Sequence, residues 1–359
     1  MTPAILHVAS GREWRGGQRQ VWLLARELAR RGVDQVVVTG GDSELARRLG
    51  SAGVRVRRVR WRASLDPRVL PTIVGELWHR RAILHAHDAH ALTLAGIGAA
   101  LTRAPLVVTR RVTFPLRRPR FWKRADRVIA ISRAVVESLK TAGVSPARVT
   151  LVPDAVDLRE IRSSPGYDVR QELNLPVDGQ VAVSLGALTP EKDQFTLIEA
   201  ASLLVRDLPG LYWVIVGDGP LRVPLEGQIA HLGLQERFHL IGQLPDPHMA
   251  LAGADVFVLS SVAEGLGSAV LAAMALDVPV VATRVGGIPD LLGQDRGLLV
   301  APGNPAEFAA AVRRVLSQPE LRVNMTRAAH ERVRRFDVDA MAERVLEVYR
   351  SCAHSLEGS

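Results

Sequence analysis

Short apolar runs alternate along this chain with stretches in which apolar residues recur every three or four positions, and that alternation predicts a parallel sheet wrapped by helices. In the first half the pattern places strands at residues 4–9, 36–39, 54–59, 83–86, 106–109 and 127–131, and from 151 onward. Helices are expected at 18–31, 44–52, 89–101 and 133–142. The first helix shows the logic: Val21, Leu24, Ala25 and Leu28 share one face, and Gly32 stops it. The stretch VPDAVDLREI reads as a linker, after which the pattern restarts with strands at 181–185, 212–216, 238–241, 256–259 and 278–282. A last helix from Val338 follows a break at Phe336 and Asp337. The fold class is therefore α/β, with two Rossmann-like, doubly wound parallel-sheet domains at 1–160 and 161–337 facing across a cleft.

Length agrees with that division, because 359 residues exceed one ordinary hydrophobic core and suit two domains of roughly 150 to 180 residues. A hydrophobic share of 47% beside 23% charged residues excludes long disordered stretches, and only a short tail after Tyr349 is expected to stay unfolded. The weakly polar runs near 92–101 and 268–283 are too short or too interrupted to span a bilayer. MTPAILHVAS enters an apolar strand with no basic leader, and the single cysteine, Cys352, has no disulfide partner, so the cytoplasm is the expected compartment.

Charge separates the halves. Residues 1–160 hold 29 Lys/Arg against 13 Asp/Glu, a balance of +16, and residues 161–359 hold 17 against 24, a balance of −7. A positive half attracts anionic partners such as phosphoglycolipids or a membrane surface. With only three lysines, Lys123, Lys140 and Lys192, arginine coding bias is the competing explanation. RRVTFPLRRPRFWKR, residues 110–124, interleaves arginines with aromatics and reads as a segment for nucleic acid, lipid headgroups or an acidic saccharide, or as a solvated loop. Nucleic acid is not an expected partner, since no helix-turn-helix, zinc or RNA-recognition signature accompanies the charge.

Four segments carry candidate chemistry. In LSSVAEGLGSAVLAAMA a strand ends at Leu259, a Glu-Gly-Leu-Gly turn follows and a helix starts near Ser268. Ligands of open parallel sheets sit at the carboxyl ends of strands, so Glu264 is placed to meet one, and Gly265 and Gly267 admit close backbone approach. In SLGALTPEKD, Lys192 follows another strand end and can neutralise a diphosphate. In SGREWRGGQRQ, Gly16 and Gly17 form a flexible turn at a helix start, an anion-friendly position that lacks the GxGxxG dinucleotide fingerprint. The segment HAHDAH places His85, His87, Asp88 and His90 at a strand end. Three readings of it stay open: a metal site, a polar cleft role for His87 and Asp88, or surface histidines.

Together these segments resemble the retaining glycosyltransferases of the GT-B fold that carry a Glu-x7-Glu motif, the glycosyltransferase family 4-like, group 1 proteins. The resemblance rests on Gly16-Gly17, GALTPEKD, VIVGDGP, EGLGSAVLAAMA and PVVATRVGGIPD in order, and covers nearly the whole chain. It implies transfer of a sugar from a nucleotide-sugar donor to an envelope saccharide or lipid-linked acceptor with retained configuration, without metal or other cofactor. It implies Lys192 on the diphosphate, Glu264 near the donor sugar, and the N–H groups of Leu266, Gly267, Ser268 and Ala269 around sugar and phosphate. Gly16, Gly17, Gly186, Gly242 and Gly265 complete the donor set. His87, Asp88, Arg110 and Arg111 belong to the acceptor or cleft side in the N-terminal domain, onto which the segment 338–352 crosses back.

Three departures stand out: Ala272 at the second Glu of the motif, Ala187 at the usual diphosphate arginine, and Arg110-Arg111 where a His often follows the strand PLVVT. Arg110, Arg111 or Arg284 are the candidates to restore the missing positive charge. A nucleotide-sugar epimerase of the same fold and a catalytically degenerate binding protein are the alternatives. The former would convert donor without acceptor, and the latter would keep its partner when Lys192 and Glu264 are replaced.

Overall fold

All strand pairings in the two sheets of the computed structural model, which describes residues 3–61, 66–116, 119–163 and 166–357, are parallel. The first unit runs β1 (Ile5–Ala9), α1 (Gly16–Arg30), β2 (Gln35–Gly40), α2 (Glu44–Ser51), β3 (Arg55–Val59), α3 (Val69–Arg80), β4 (Ile83–Ala86), α4 (Ala89–Thr102), β5 (Leu106–Arg110), α5 (Pro119–Arg124), β6 (Arg127–Ala130), α6 (Arg133–Thr141) and β7 (Val149–Leu151). Its seven strands lie in the order β3-β2-β1-β4-β5-β6-β7. Central strands such as β2, QVVVTG, are buried at every position, as both faces of a parallel sheet must be, while the edge strand β3, RVRRV, is largely exposed.

The second unit continues with α7 (Leu158–Ser163), α8 (Val169–Glu172), β8 (Gln180–Leu185), α9 (Gln194–Leu204), β9 (Leu211–Val216), α10 (Arg222–His231), β10 (Phe238–Gly242), β11 (Val256–Leu259), α11 (Ser268–Ala275), β12 (Val280–Thr283), α12 (Ile288–Leu292), β13 (Leu298–Val300), α13 (Pro305–Ser317) and α14 (Pro319–Val333). Its sheet order is β10-β9-β8-β11-β12-β13. Trp213, Ile215, Val258 and Val281 from the sheet share a core with Leu197, Phe308 and Val312 from the helices. In each sheet the strand order reverses once, between β1 and β4 and between β8 and β11, and at such a switch point the loops diverge to leave a crevice at the strands' carboxyl ends.

The last helix, α15 (Val338–Glu357), belongs to the first unit. Val345, Leu346, Tyr349 and Cys352 join Val21, Leu24 and Leu28 of α1 in one core. Arg30 pairs with Asp339 at 2.7 Å and Arg31 with Glu343 at 2.8 Å. The expected unfolded tail after Tyr349 is corrected: Cys352 continues the apolar face set by Val345 and Tyr349, and the helix runs on to Glu357.

The units divide as Met1–Ala155 with Asp337–Ser359, and Val156–Phe336, slightly before the boundary read from the pattern at 160. Hydrogen bonds explain the position. The Gln20 side chain grips Ala155 on both backbone groups, at 2.7 and 2.8 Å, while the next N–H, of Val156, donates to the Phe336 carbonyl at 2.9 Å.

Candidate active site

In the second unit the β8 and β11 loops leave the switch point side by side. Lys192 closes a 3₁₀ turn, Pro190–Lys192, after β8, and Glu264 lies in the loop after β11. The Lys192 ammonium contacts the Glu264 carboxylate directly, with side chains 23% and 12% exposed, so the pair is largely but not wholly shielded from water. Ser261 Oγ donates to the same Glu264 oxygen, Oε1, at 2.8 Å. The loops are also joined through their backbones: Val262 N–H donates to the Glu191 carbonyl at 2.9 Å, and Ser260 Oγ lies 2.9 and 2.8 Å from the carbonyls of Lys192 and Asp193.

Gly267 precedes α11 with φ +94°, a conformation side chains rarely adopt, and it offers no side-chain cap. The first N–H groups of α11, at Ser268 and Ala269, therefore have no partner within the helix and present partial positive charge at the end of the loop that carries Glu264. Gly286, φ +51°, fits against the loop from the other side, where a Cβ would stand 1.8 Å from the Glu264 carbonyl oxygen. Gly186 lies against the Lys192 stem, its Cβ position 3.6 Å from Cδ and Cε. Gly242 ends β10 and accepts a 2.8 Å bond from Gly217 N–H. Gly265 and the Leu266 side chain are buried, so only the Leu266 backbone is available to a ligand. Ala272 is buried in α11, and the Ala187 carbonyl accepts from Gln194 Nε2 at 2.9 Å. Arg284 donates to the Leu299 carbonyl.

The first unit gathers a different set at its own switch point. Gly16 and Gly17 are the first residues of α1 itself rather than a flexible turn. The Cβ position of Gly17 lies 3.9 Å from Arg111 Cδ. Arg111 donates to Asp154 at 3.1 Å and to the His87 carbonyl at 3.1 Å. Burial pushes the Asp154 carboxyl up, against the opposing pull of Arg111. Asp88 caps α4 through His90 and Ala91 N–H, and also binds Ser10 through backbone N–H at 2.8 Å and hydroxyl at 2.5 Å, tying the β1–α1 loop to the β4–α4 loop. Arg110 turns away: it bonds the Phe114 carbonyl, lies 5.2 Å from the Trp122 ring, and burial lowers its pKa to about 10. The basic segment 110–124 falls partly outside the described residues, and within it Trp122 is buried while Phe114 is exposed.

His85 and His87 are not surface residues. They stand two apart and so face the same side of the sheet, where His7, paired in register with His85, joins them. His7 Nδ1 is 2.9 Å from His87 Nε2, and His85 bonds Tyr349 hydroxyl at 2.6 Å and Thr109 hydroxyl at 2.7 Å. Burial lowers the pKa of His7 to about 4 and drives those of His85 and His87 well below the usual value, keeping the rings neutral. The three offer ring nitrogens within 4.8 Å of one another, the spacing of a potential metal set. Their geometry fits a hydrogen-bonded core better. A 2.9 Å nitrogen pair is a hydrogen bond, and the far nitrogen His87 Nδ1 lacks the outer partner that orients a metal-bound imidazole. The positive field of Arg111, which helps depress the pKa of His85 and His87, also opposes a buried dication.

Sequence reasoning missed His7, Ser10, Asp154, Ser260 and Ser261. The Ser-Ser doublet directly after a strand and before the Glu-Gly-Leu-Gly turn was the available signal for the last two. His7 was legible only through the pairing of β1 with β4.

Two doubly wound parallel sheets, with a cation, a carboxylate and an open helix N-terminus at one switch point, define the GT-B class of protein. Known proteins agree. Residues 168–332 match the family described as Glycosyl transferases group 1, and residues 14–160 match Glycosyltransferase Family 4. The chain is 29% identical over 350 residues to the lipopolysaccharide core biosynthesis glycosyltransferase LpsE of Rhizobium meliloti, covering 94% of this chain and 96% of that protein. It is 33% identical over 195 residues to the 2-deoxystreptamine glucosyltransferase of Streptomyces kanamyceticus, an alignment spanning 53% of this chain and 50% of that one. Among solved structures, Anabaena HepE in complex with UDP and glucose superposes with a TM-score of 0.86 at 22% identity, over 97% of this chain and all of that one, and so shares the fold. The two halves of the chain thus match one family model each, and together with these relatives they support a glycosyltransferase family 4-like protein of the GT-B fold.

Proposed function

We propose that the protein transfers a sugar from a nucleoside diphosphate sugar to a saccharide or lipid-linked acceptor, with retention of configuration and without a metal. The observation that carries this reading is the contact of Lys192 with Glu264 at the β8/β11 switch point, in a loop that runs on to the uncapped N–H groups of Ser268 and Ala269. Departure of a nucleoside diphosphate builds negative charge, and a fixed ammonium with aligned amide dipoles stabilises it without reorganisation. In this scheme Lys192 neutralises the leaving diphosphate. Glu264 orients the donor sugar, and the backbone of Leu266 and Gly267 lines the same site with Gly186, Gly242 and Gly265. The first unit receives the acceptor, with His87, Asp88 and Arg111 on that side, while its Gly16 and Gly17 serve the donor diphosphate.

A uridine donor and an envelope acceptor are favoured by what is similar: HepE binds UDP and glucose, and LpsE acts in lipopolysaccharide core biosynthesis. The balance of +16 over residues 1–160 supports work at the inner face of an anionic membrane, reached from the cytoplasm. No helix among the described residues is long and apolar enough to cross a membrane. Ala187 and Ala272 favour a second reading, a degenerate relative that binds without turnover.

The test is a thermal-shift panel of UDP, GDP and ADP sugars, followed by product analysis with envelope oligosaccharide acceptors. A binding donor at about 100 times its Kd adds roughly 2.7 kcal/mol of apparent stability. A donor that binds without turnover selects the degenerate reading. Silence across the whole panel refutes both.

A further inference from the structure

The doublet Ser260-Ser261 is buried, its residues 1% and 0% exposed, yet each hydroxyl is spent on one of the two loops that hold the ion pair. Ser260 Oγ reaches the carbonyls of Lys192 and Asp193, at 2.9 and 2.8 Å, and fixes the backbone that carries the ammonium. Ser261 Oγ holds Glu264 Oε1 at 2.8 Å, and Ser261 is itself held through its carbonyl by Thr283 Oγ1 at 2.5 Å, from the end of the neighbouring strand β12. Asp193, at the turn between the loop and α9, stands at φ +46°, a conformation that needs such support in a non-glycine residue.

We propose that Ser260 and Ser261 are positioning residues: a hydroxyl clasp that sets the distance between the Lys192 ammonium and the Glu264 carboxylate. Both bonds to Glu264 fall on Oε1, so the clasp leaves Oε2 uncommitted to either neighbour. Its consequence for turnover rests on the function proposed above, whereas its consequence for Lys192 does not.

The two are tested separately. Pulse acetylation of the intact protein with acetic anhydride, read by mass spectrometry, measures how accessible and free each of the three lysines is. Lys192 should react more slowly than Lys123 and Lys140. Ser261→Ala and Ser260→Ala should each raise its rate about fivefold, the worth of one hydrogen bond, with Lys123 and Lys140 unchanged. Ser261→Thr, which keeps the hydroxyl, should restore the slow rate. Unchanged Lys192 labelling in both alanine variants overturns the clasp, and so does a parallel rise at all three lysines, which marks general loosening.

With UDP-glucose as donor, both alanine variants should lower kcat while leaving KM within twofold. An unchanged kcat beside faster labelling removes the positioning role. If the wild type turns over no nucleotide sugar, the proposed function fails, and the labelling alone decides whether the clasp exists.

Discussion

Lys192 Nζ and Glu264 Oε1 touch although 72 positions separate them in the chain, because β8 and β11 are neighbours at the point where the sheet order reverses. If this pair works on a leaving diphosphate, its loss removes transition-state charge stabilisation rather than fold. Lys192→Ala should lower kcat by about 10²–10³-fold, the range for removing one preorganised electrostatic group. Both side chains are partly exposed, and Ser261 still satisfies Glu264, so stability should fall by no more than about 1 kcal/mol. Lys192→Arg should not restore turnover, since a planar guanidinium cannot replace a compact ammonium in a space this closely bounded. Steady-state kinetics beside urea unfolding separate the effects, and a rate loss that merely follows the folded fraction would discard the assignment.

Gly286 offers an independent handle on the same loop. Alanine there would put a Cβ 1.8 Å from the Glu264 carbonyl oxygen, so the Glu264 backbone must move. Gly303 has a similar φ of +66° with nothing within 4 Å of its Cβ position, and is the control. Both substitutions carry left-handed strain of about 1 kcal/mol. Only Gly286→Ala should also cut turnover, on the order of 100-fold for a displacement near 1 Å. Equal kcat in the two variants would show that Glu264 placement does not matter.

Much of this was legible in sequence because parallel sheets demand continuous apolar runs, and β4 and β11 were located to the residue. Among the segments that escaped notice are α3, whose apolar residues include the exposed Trp78, the short helices α5 and α7, and the three-residue β13. Lys192 and Glu264 could be nominated separately from strand ends, but their contact depends on strand order, which no local pattern encodes. The burial of His85 and His87, against the surface reading, was hidden for the same reason. The motif HAHDAH displays two of the three, and His7 reaches them only through the β1–β4 register.

Tyr349 places its hydroxyl 2.6 Å from His85 Nδ1 while its ring fills the core beneath α1. Tyr349→Phe keeps the ring and leaves a buried imidazole nitrogen unpaired, which should cost about 1–3 kcal/mol. Tyr349→Ala adds a cavity and should cost about 3–5 kcal/mol. Tryptophan fluorescence reports the relevant unfolding, since Trp14, Trp22, Trp61, Trp78 and Trp122 lie in the first unit and Trp213 alone in the second. A phenylalanine variant as stable as the wild type would mean that the hydroxyl bond contributes nothing.

The same histidines make the first unit acid-labile in a defined window. His7 has an ordinary pKa of 6.5 when unfolded and about 4 when folded, because burial opposes its charge. Above pH 6.5 both states are neutral and full stability is present. Between 6.5 and 4 the unfolded chain takes up a proton that the native state refuses, so stability falls as pH falls. From this shift His7 alone accounts for about 3 kcal/mol, and His85 and His87 act in the same direction. Glu27 follows lower down. Although burial alone would raise its pKa, Arg30 and Arg31 hold it at about 2 instead of 4.5, so its contribution is present above 4.5 and fades toward 2. Urea unfolding at a series of pH values should therefore show stability declining steadily from pH 6.5 to 4, before the carboxylate matters. His7→Gln, which cannot titrate, should reduce the slope in that window by up to about 1.4 kcal/mol per pH unit. A wild-type curve flat from pH 6.5 to 5, or a His7→Gln curve parallel to it, would mean that the cluster takes up protons equally well in both states.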